Sequence, residues 1–159
     1  MSENVADPTG LGLLGLAVVC FVVSTSRVGW SSPTTSVIIP WAVLLGSLAQ
    51  MIASYFDFKK NNPFESVVFG AYGLFWSAIA GVWLIQMGSF SPEIQKGFDV
   101  TQLAFAFVEF LIFSIFGTIT ALKTNKVIFA IMVLICFLFF GLAADLFLGG
   151  CTGFFALAA

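Results

Sequence analysis

The stretch Asn62-Pro63-Phe64-Glu65-Ser66-Val67-Val68-Phe69-Gly70-Ala71-Tyr72-Gly73-Leu74-Phe75-Trp76 carries a helix start, a row of small residues and a ladder of aromatics. Asn62-Pro63 has the form of an N-cap followed by proline at the first helical position, and Glu65 stands where a capping-box acid would reach back. Ser66, Gly70, Gly73, Ser77 and Gly81 recur at steps of three or four, so they share one helical face and allow another helix to approach closely. The apolar run that begins here continues to Met87, long enough to cross a bilayer, for which about 20 residues suffice. A helix of this kind decides the fold class: the chain reads as an all-α bundle of transmembrane helices.

Composition agrees. The chain has 159 residues, of which 60% are hydrophobic and only 9% charged, whereas soluble domains carry about 25% charge. There is too little polar side chain to cover a water-facing surface, which makes this a multi-pass integral membrane protein in one domain, 1–159, with the lipid bilayer as its first partner. A net charge of −2 and no basic cluster give nucleic acid nothing to bind. Histidine is absent, which removes the commonest general base and haem ligand. Cys20, Cys136 and Cys151 are far apart and read as buried thiols. With no paired carboxylates and no metal-ligand spacing, the chain reads as neither an enzyme nor a holder of a metal or cofactor.

Working outward, five apolar runs are separated by short polar breaks: Leu11–Val28, Val37–Phe56, Phe64–Met87, Val100–Leu122 and Val127–Leu148. Short breaks predict antiparallel neighbours. Asp7-Pro8, Ser32-Pro33, Asn62-Pro63 and Ser91-Pro92 each place a capping side chain before proline, and Pro40 is expected to kink the second helix. The tail Gly149–Ala159 would make only about 16 Å of helix, against a hydrocarbon core of about 30 Å. It reads as the first half of a sixth helix in a truncated chain. Met1–Gly10 is acidic and lacks the basic flank of a secretion signal, so the first run is expected to be retained. Lys59, Lys60, Lys123 and Lys126 lie in the second and fourth loops, against Arg27 and Lys96 in the first and third. This bias predicts a plasma (inner) membrane protein with its even loops and N-terminus in the cytoplasm.

Several residues could do more than pack. Gly10-x-Gly12-x-x-Gly15 matches the dinucleotide fingerprint, but no strand precedes it and no acidic residue follows at the required distance; it reads as a close helix–helix contact. Phe69, Tyr72, Trp76 and Trp83 form a stripe beside the small face. Two readings stay open for it: lipid-facing aromatics, or a lining in which the Tyr72 phenol faces a lumen. Ser47, Gln50 and Ser54 share a face of the second helix, either as interhelical hydrogen bonds or as a polar pore lining. Glu109 sits mid-span with no intramembrane cation to pair with, which makes it a candidate for proton coupling. Asp145 reads as an exposed helix terminus. The helix starts at Asp7 and Asn62 offer backbone N–H groups to an anion.

These residues resemble the acetate uptake transporter family, whose bacterial members are succinate–acetate permeases. Asp7-Pro8-Thr9-Gly10-Leu11-Gly12-Leu13 is similar to the family's Asn-Pro-Ala-Pro-Leu-Gly-Leu signature, with Asp7 and Gly10 as departures. Gln50 through Lys60 resembles the end of its second helix, Phe64 through Trp76 its Tyr-Gly-x-Phe-Trp block, and Phe116-Gly117-Thr118 a further short match. The resemblance implies six-helix protomers assembled as a homo-hexamer, each with its own pore, passing acetate and related short carboxylates with or without a proton. It places the constriction on Tyr72, Leu16 and Leu134, with Phe69 and Trp76 beside it. Leu16 stands where bacterial relatives carry phenylalanine, and Glu109 has no counterpart. Two rival readings accompany this one: a channel for urea or another small neutral solute, and a non-transporting structural subunit of a membrane complex.

Overall fold

The computed structural model describes residues 6–31 and 36–149; the tail expected to begin a sixth helix falls almost wholly outside them, as does Ser32-Pro33. The described residues form helices and turns with no strand. They divide into two compact units, Met1–Gln95 and Lys96–Ala159.

The first unit holds α1 (Thr9–Arg27), a composite second span, and α4 (Pro63–Gln86). The second span consists of α2 (Ile38–Trp41), a π-helical segment (Ala42–Ala49) and α3 (Gln50–Lys59). Pro40 lies in the opening turn, ahead of the π-helical segment, where its missing N–H falls among the unpaired donors of a helix start. A short α5 (Pro92–Lys96) ends the unit's helices. The second unit is a helical hairpin of α6 (Val100–Ala121) and α7 (Lys126–Phe147). Among the described residues, five stretches are long and apolar enough to cross a membrane, and they coincide to within a few residues with the runs read from the sequence.

The helix ends correct the sequence reading in detail. Pro8, not Asp7, is the N-cap of α1, and the Asp7 carboxylate accepts the Thr9 N–H at 3.1 Å. Asn62 is the N-cap of α4 but makes no side-chain cap bond; its Nδ2 donates instead to Asp57 Oδ1 at 3.3 Å. Glu65 does not close a capping box, because its carboxylate is engaged by α1. Ser91-Pro92 starts α5, not a span; α6 begins at Asp99, whose side chain accepts from Thr101 N at 2.8 Å. The turn from α3 to α4 is a Schellman motif, with Asn62 N–H bonded to Asp57 O at 3.0 Å and Asn61 N–H to Phe58 O at 3.2 Å. That motif needs a residue at positive φ, and Asn61, at φ 55°, supplies it where glycine is usual.

Within the first unit, small residues set the helix spacing. A Cβ on Gly15 would run into the backbone carbonyl of Leu45, and one on Gly12 would stand 2.5 Å from the Phe69 ring. The Gly-x-Gly-x-x-Gly pattern is therefore a packing motif, of which Gly10 takes no part. On α4, Gly73 faces Met51 and Ser47 of the second span, and Gly70 faces the Ser54 hydroxyl. Gly81, the last residue of the predicted small face, touches nothing.

Within the second unit, Phe110 stacks on Phe139 with centroids 5.5 Å apart, and Phe105 meets Phe147 edge-on at 5.2 Å. Gly117 admits the Met132 methyl, and Thr118 Oγ1 lies 3.4 Å from Cys136 Sγ. Asp145 is fully buried on α7, contrary to its reading as an exposed terminus. The last turn of an apolar helix hid the fact that this face packs inward.

Candidate functional site

The seam between the second span and α4 gathers most of the polar residues singled out in the sequence. The Ser47 hydroxyl lies 2.6 Å from that of Ser77, and Ser54 Oγ donates to the Ser66 carbonyl at 2.6 Å. These two links sit about two turns apart on the second span and about three on α4, and they tie the two together on either side of Gly73. Between them, Gln50 is fully buried; its Nε2 donates to the Gly46 carbonyl at 2.7 Å, one turn back, while its Oε1 has no partner. The π-helical segment ends at the residue before Gln50. Such segments widen a helix locally and often mark functional positions.

Phe69, Tyr72, Trp76 and Trp83 are all buried. Burial rules out the lipid-facing reading of the stripe. The Trp76 ring packs against Gly46 and meets Phe75 edge-on at 5.5 Å; the Phe69 ring covers Gly12. Tyr72 is 3% exposed, with Phe69 and Trp76 one turn away on either side. Leu16 is half-buried on α1 in the same unit. Leu134 belongs to α7 in the other unit, where it is exposed, and Glu109 is exposed on α6.

A second polar group lies at the end of the first unit where α1 starts and α3 turns into α4. Lys60 Nζ is 3.0 Å from Asp7 Oδ1. The Thr9 hydroxyl lies 2.7 Å from Asp7 Oδ1 and 2.5 Å from Glu65 Oε2. Asp57 is fully buried and its Oδ2 has no partner. The Thr9 hydroxyl and then Lys60 hold the Asp7 carboxyl well below its ordinary range, at about 2. The helix starts named as anion contacts, Asp7 and Asn62, thus sit among three carboxyls and one ammonium. The signal that could have located this cluster was Asp57 itself, an acid between Phe56 and Phe58 in an apolar run.

Among the described residues, no group of three or more histidine, cysteine or acidic side chains is placed to hold a metal ion.

Comparison with known proteins follows the same outline. A protein from Methanothermobacter thermautotrophicus is 30% identical over 147 residues, 91% of this chain and 72% of the relative. The succinate-acetate/proton symporter SatP of Escherichia coli K12 is 27% identical over 128 residues, 80% of this chain and 67% of the symporter. The solved structure of the bacterial acetate channel SatP superposes with a TM-score of 0.84 at 22% identity, covering 98% of this chain and 82% of the channel. That likeness establishes the transmembrane helical fold. The family model described as GPR1/FUN34/yaaH matches residues 1–155, and the chain belongs to the GPR1/FUN34/yaaH family.

Proposed function

We propose that this chain is a membrane channel or transporter for acetate and related short-chain carboxylates. What supports the reading most is family membership over residues 1–155 together with the relative named as a succinate-acetate/proton symporter. The chemistry of the first unit fits it. A bare carboxylate entering hydrocarbon meets a large desolvation cost, and the described spans offer it neutral dipoles: the Ser47–Ser77 pair, the unpartnered Gln50 amide oxygen and the Ser54 hydroxyl. A protonated acid donates to an amide oxygen; an ionised one accepts from hydroxyls. Tyr72, buried with Phe69 and Trp76 one turn away on either side, is the constriction, with Leu16 of α1 assigned to it as well.

The contacts at the start of α1 support the topology. Asp7–Lys60 and Thr9–Glu65 put the N-terminal side of α1 and the α3–α4 turn at one end of the first unit. Together with the excess of lysine in the even loops, this supports a cytoplasmic position for both at the plasma (inner) membrane. The working assembly is a homo-hexamer with a pathway in each protomer, and the protein is a transporter with no enzymatic step.

The test is radiolabelled acetate uptake into liposomes carrying the purified protein. Flux above that of empty vesicles is expected; its absence sinks the reading and favours a structural subunit. A second reading, passage of a small neutral solute, has one observation in its favour: a Saccharomyces cerevisiae relative named ammonia transport outward protein 2 is 25% identical over 146 residues, though this chain spans only 52% of it. Competition of urea and of ammonia with acetate in the same vesicles separates the two.

A further inference from the structure

The cluster at the start of α1 has more oxygens in contact than its hydrogens can join. Thr9 has one hydroxyl hydrogen, yet its oxygen stands at hydrogen-bond distance from two carboxylates, Asp7 Oδ1 at 2.7 Å and Glu65 Oε2 at 2.5 Å. If both acids are ionised, one of these contacts is an oxygen facing an anionic oxygen with nothing between. A single added proton resolves it: Glu65 donates to Thr9, Thr9 donates to Asp7, and Asp7 stays ionised against Lys60 at 3.0 Å. Distances of this length are those of strong O–H···O bonds.

Asp57 supplies an independent reason. It is fully buried, accepts only the long bond from Asn62 at 3.3 Å, and leaves Oδ2 unpartnered. A buried ionised carboxylate in that condition is costly, and gaining a proton removes the charge. Glu65, Lys60 and Asp7 all lie within electrostatic reach of it. The groups around the site are Asp7 and Thr9 from the start of α1, Asp57 and Lys60 from the end of α3, and Asn62 and Glu65 from the start of α4. Lys59 is turned toward the Tyr55 ring, 5.1 Å from its centroid. Among the described residues, the carboxyls of Asp7, Asp57 and Glu65 lie around the Lys60 ammonium.

We propose that Glu65, in contact with Thr9, and Asp57, in contact with Asn62, form a proton-binding site at the α1–α3–α4 corner, and that its occupancy couples proton and carboxylate movement. The proton arrives from the aqueous side by way of the exposed Asp7 end and leaves by the same oxygens, so no co-reactant is needed. The site ties the first helix to the third span, so loading or emptying it changes the contact that holds α1 against α4. The coupling half of the proposal rests on the transport reading above; the binding half does not.

The test uses the full chain in lipid vesicles. Infrared difference spectra between mildly alkaline and mildly acidic buffer are expected to show the C=O band of a protonated carboxyl, lost or diminished in E65Q and in D57N and unchanged in the control E93Q, at an exposed position on α5. A band that persists unaltered in both variants overturns the site, as does one that follows sodium concentration at fixed pH. In acetate uptake, an inward proton gradient is expected to stimulate flux in the unmodified protein, with that stimulation lost in E65Q and D57N while exchange at equal pH continues. Stimulation retained in both variants overturns the coupling. If the unmodified protein moves no acetate but shows the variant-sensitive band, the transport reading falls and the proton site stands.

Discussion

The Phe69 ring lies so close over Gly12 that a methyl group on the glycine would stand 2.5 Å from ring carbon Cε1. Three residues along α1, Gly15 meets the Leu45 carbonyl instead. The two glycines share a motif but answer to different neighbours. A ring can turn aside; a helix backbone cannot. Gly12→Ala is therefore expected to cost about 1 kcal/mol and Gly15→Ala about 3 kcal/mol, the two ends of the overpacking range. Thermal unfolding of the two purified variants in one detergent checks the order. Equal losses would show that Phe69 is as fixed as the backbone.

Tyr72→Ala opens the constriction without adding charge. The variant is expected to admit longer monocarboxylates, with the butyrate-to-acetate flux ratio rising about tenfold, the scale on which a methylene is discriminated in an apolar site. Tyr72→Phe keeps the ring and is expected to keep the selectivity. A ratio unchanged in Tyr72→Ala assigns the constriction elsewhere.

Gln50→Leu removes a buried amide while keeping the side chain's bulk. The bond lost, to the Gly46 carbonyl, lies within the same helix, and polar contacts of this kind in membranes average about 0.6 kcal/mol. Stability is expected to change by less than about 1 kcal/mol, while acetate flux falls. A variant that loses stability and retains its flux returns Gln50 to a packing role.

Asp7 gives a pH dependence with a definite sign. Its folded value, about 2, lies below the ordinary 3.8. A depressed carboxyl contributes stability that is fully present above the unfolded value and is lost as pH falls through the folded one. The melting temperature of the unmodified protein is thus expected to exceed that of Asp7→Asn at neutral pH, and the gap to close between about pH 4 and pH 2. Because Asp7 is exposed, the gap is small and shrinks in high salt. A gap independent of pH assigns the effect to something other than the carboxylate.

The spans were legible because hydropathy is a property of single segments. Leu11–Val28 differs from α1 by two residues at the start and one at the end, and Val100–Leu122 from α6 by one. The small face of α4 was equally plain, since spacing alone aligns Ser66, Gly70, Gly73 and Ser77. What escaped were partnerships between helices. Glu65 looked like a capping acid because its distance in sequence from Asn62 suited one, and nothing in a linear reading shows that Thr9, 56 residues earlier, stands nearer. Asp145 reads as an exposed terminus, and Asp57 draws no notice, for the same reason: each lies near a helix end, where an acid is ordinarily wetted, yet both are buried. The aromatic stripe was ambiguous because lipid and protein interior favour the same side chains. Burial of Phe69, Tyr72, Trp76 and Trp83 decides it.

The π-helical segment Ala42–Ala49 has a consequence for how the second span tolerates change. Each residue of a regular α-helix turns the chain by about 100°, so the same residues wound as ordinary helix throughout would carry Ala42 about 80° around from Gln50, eight residues on, whereas the widened stretch keeps both buried. Length, apolarity and residue content would hardly differ, and the segment would still cross the membrane. Yet Ala42 and Ile38 would no longer point inward on the same side as Gln50, Ser54 and Asp57. What the span stores there is an angle, which winding the same residues as ordinary helix would erase while leaving every hydropathy profile intact.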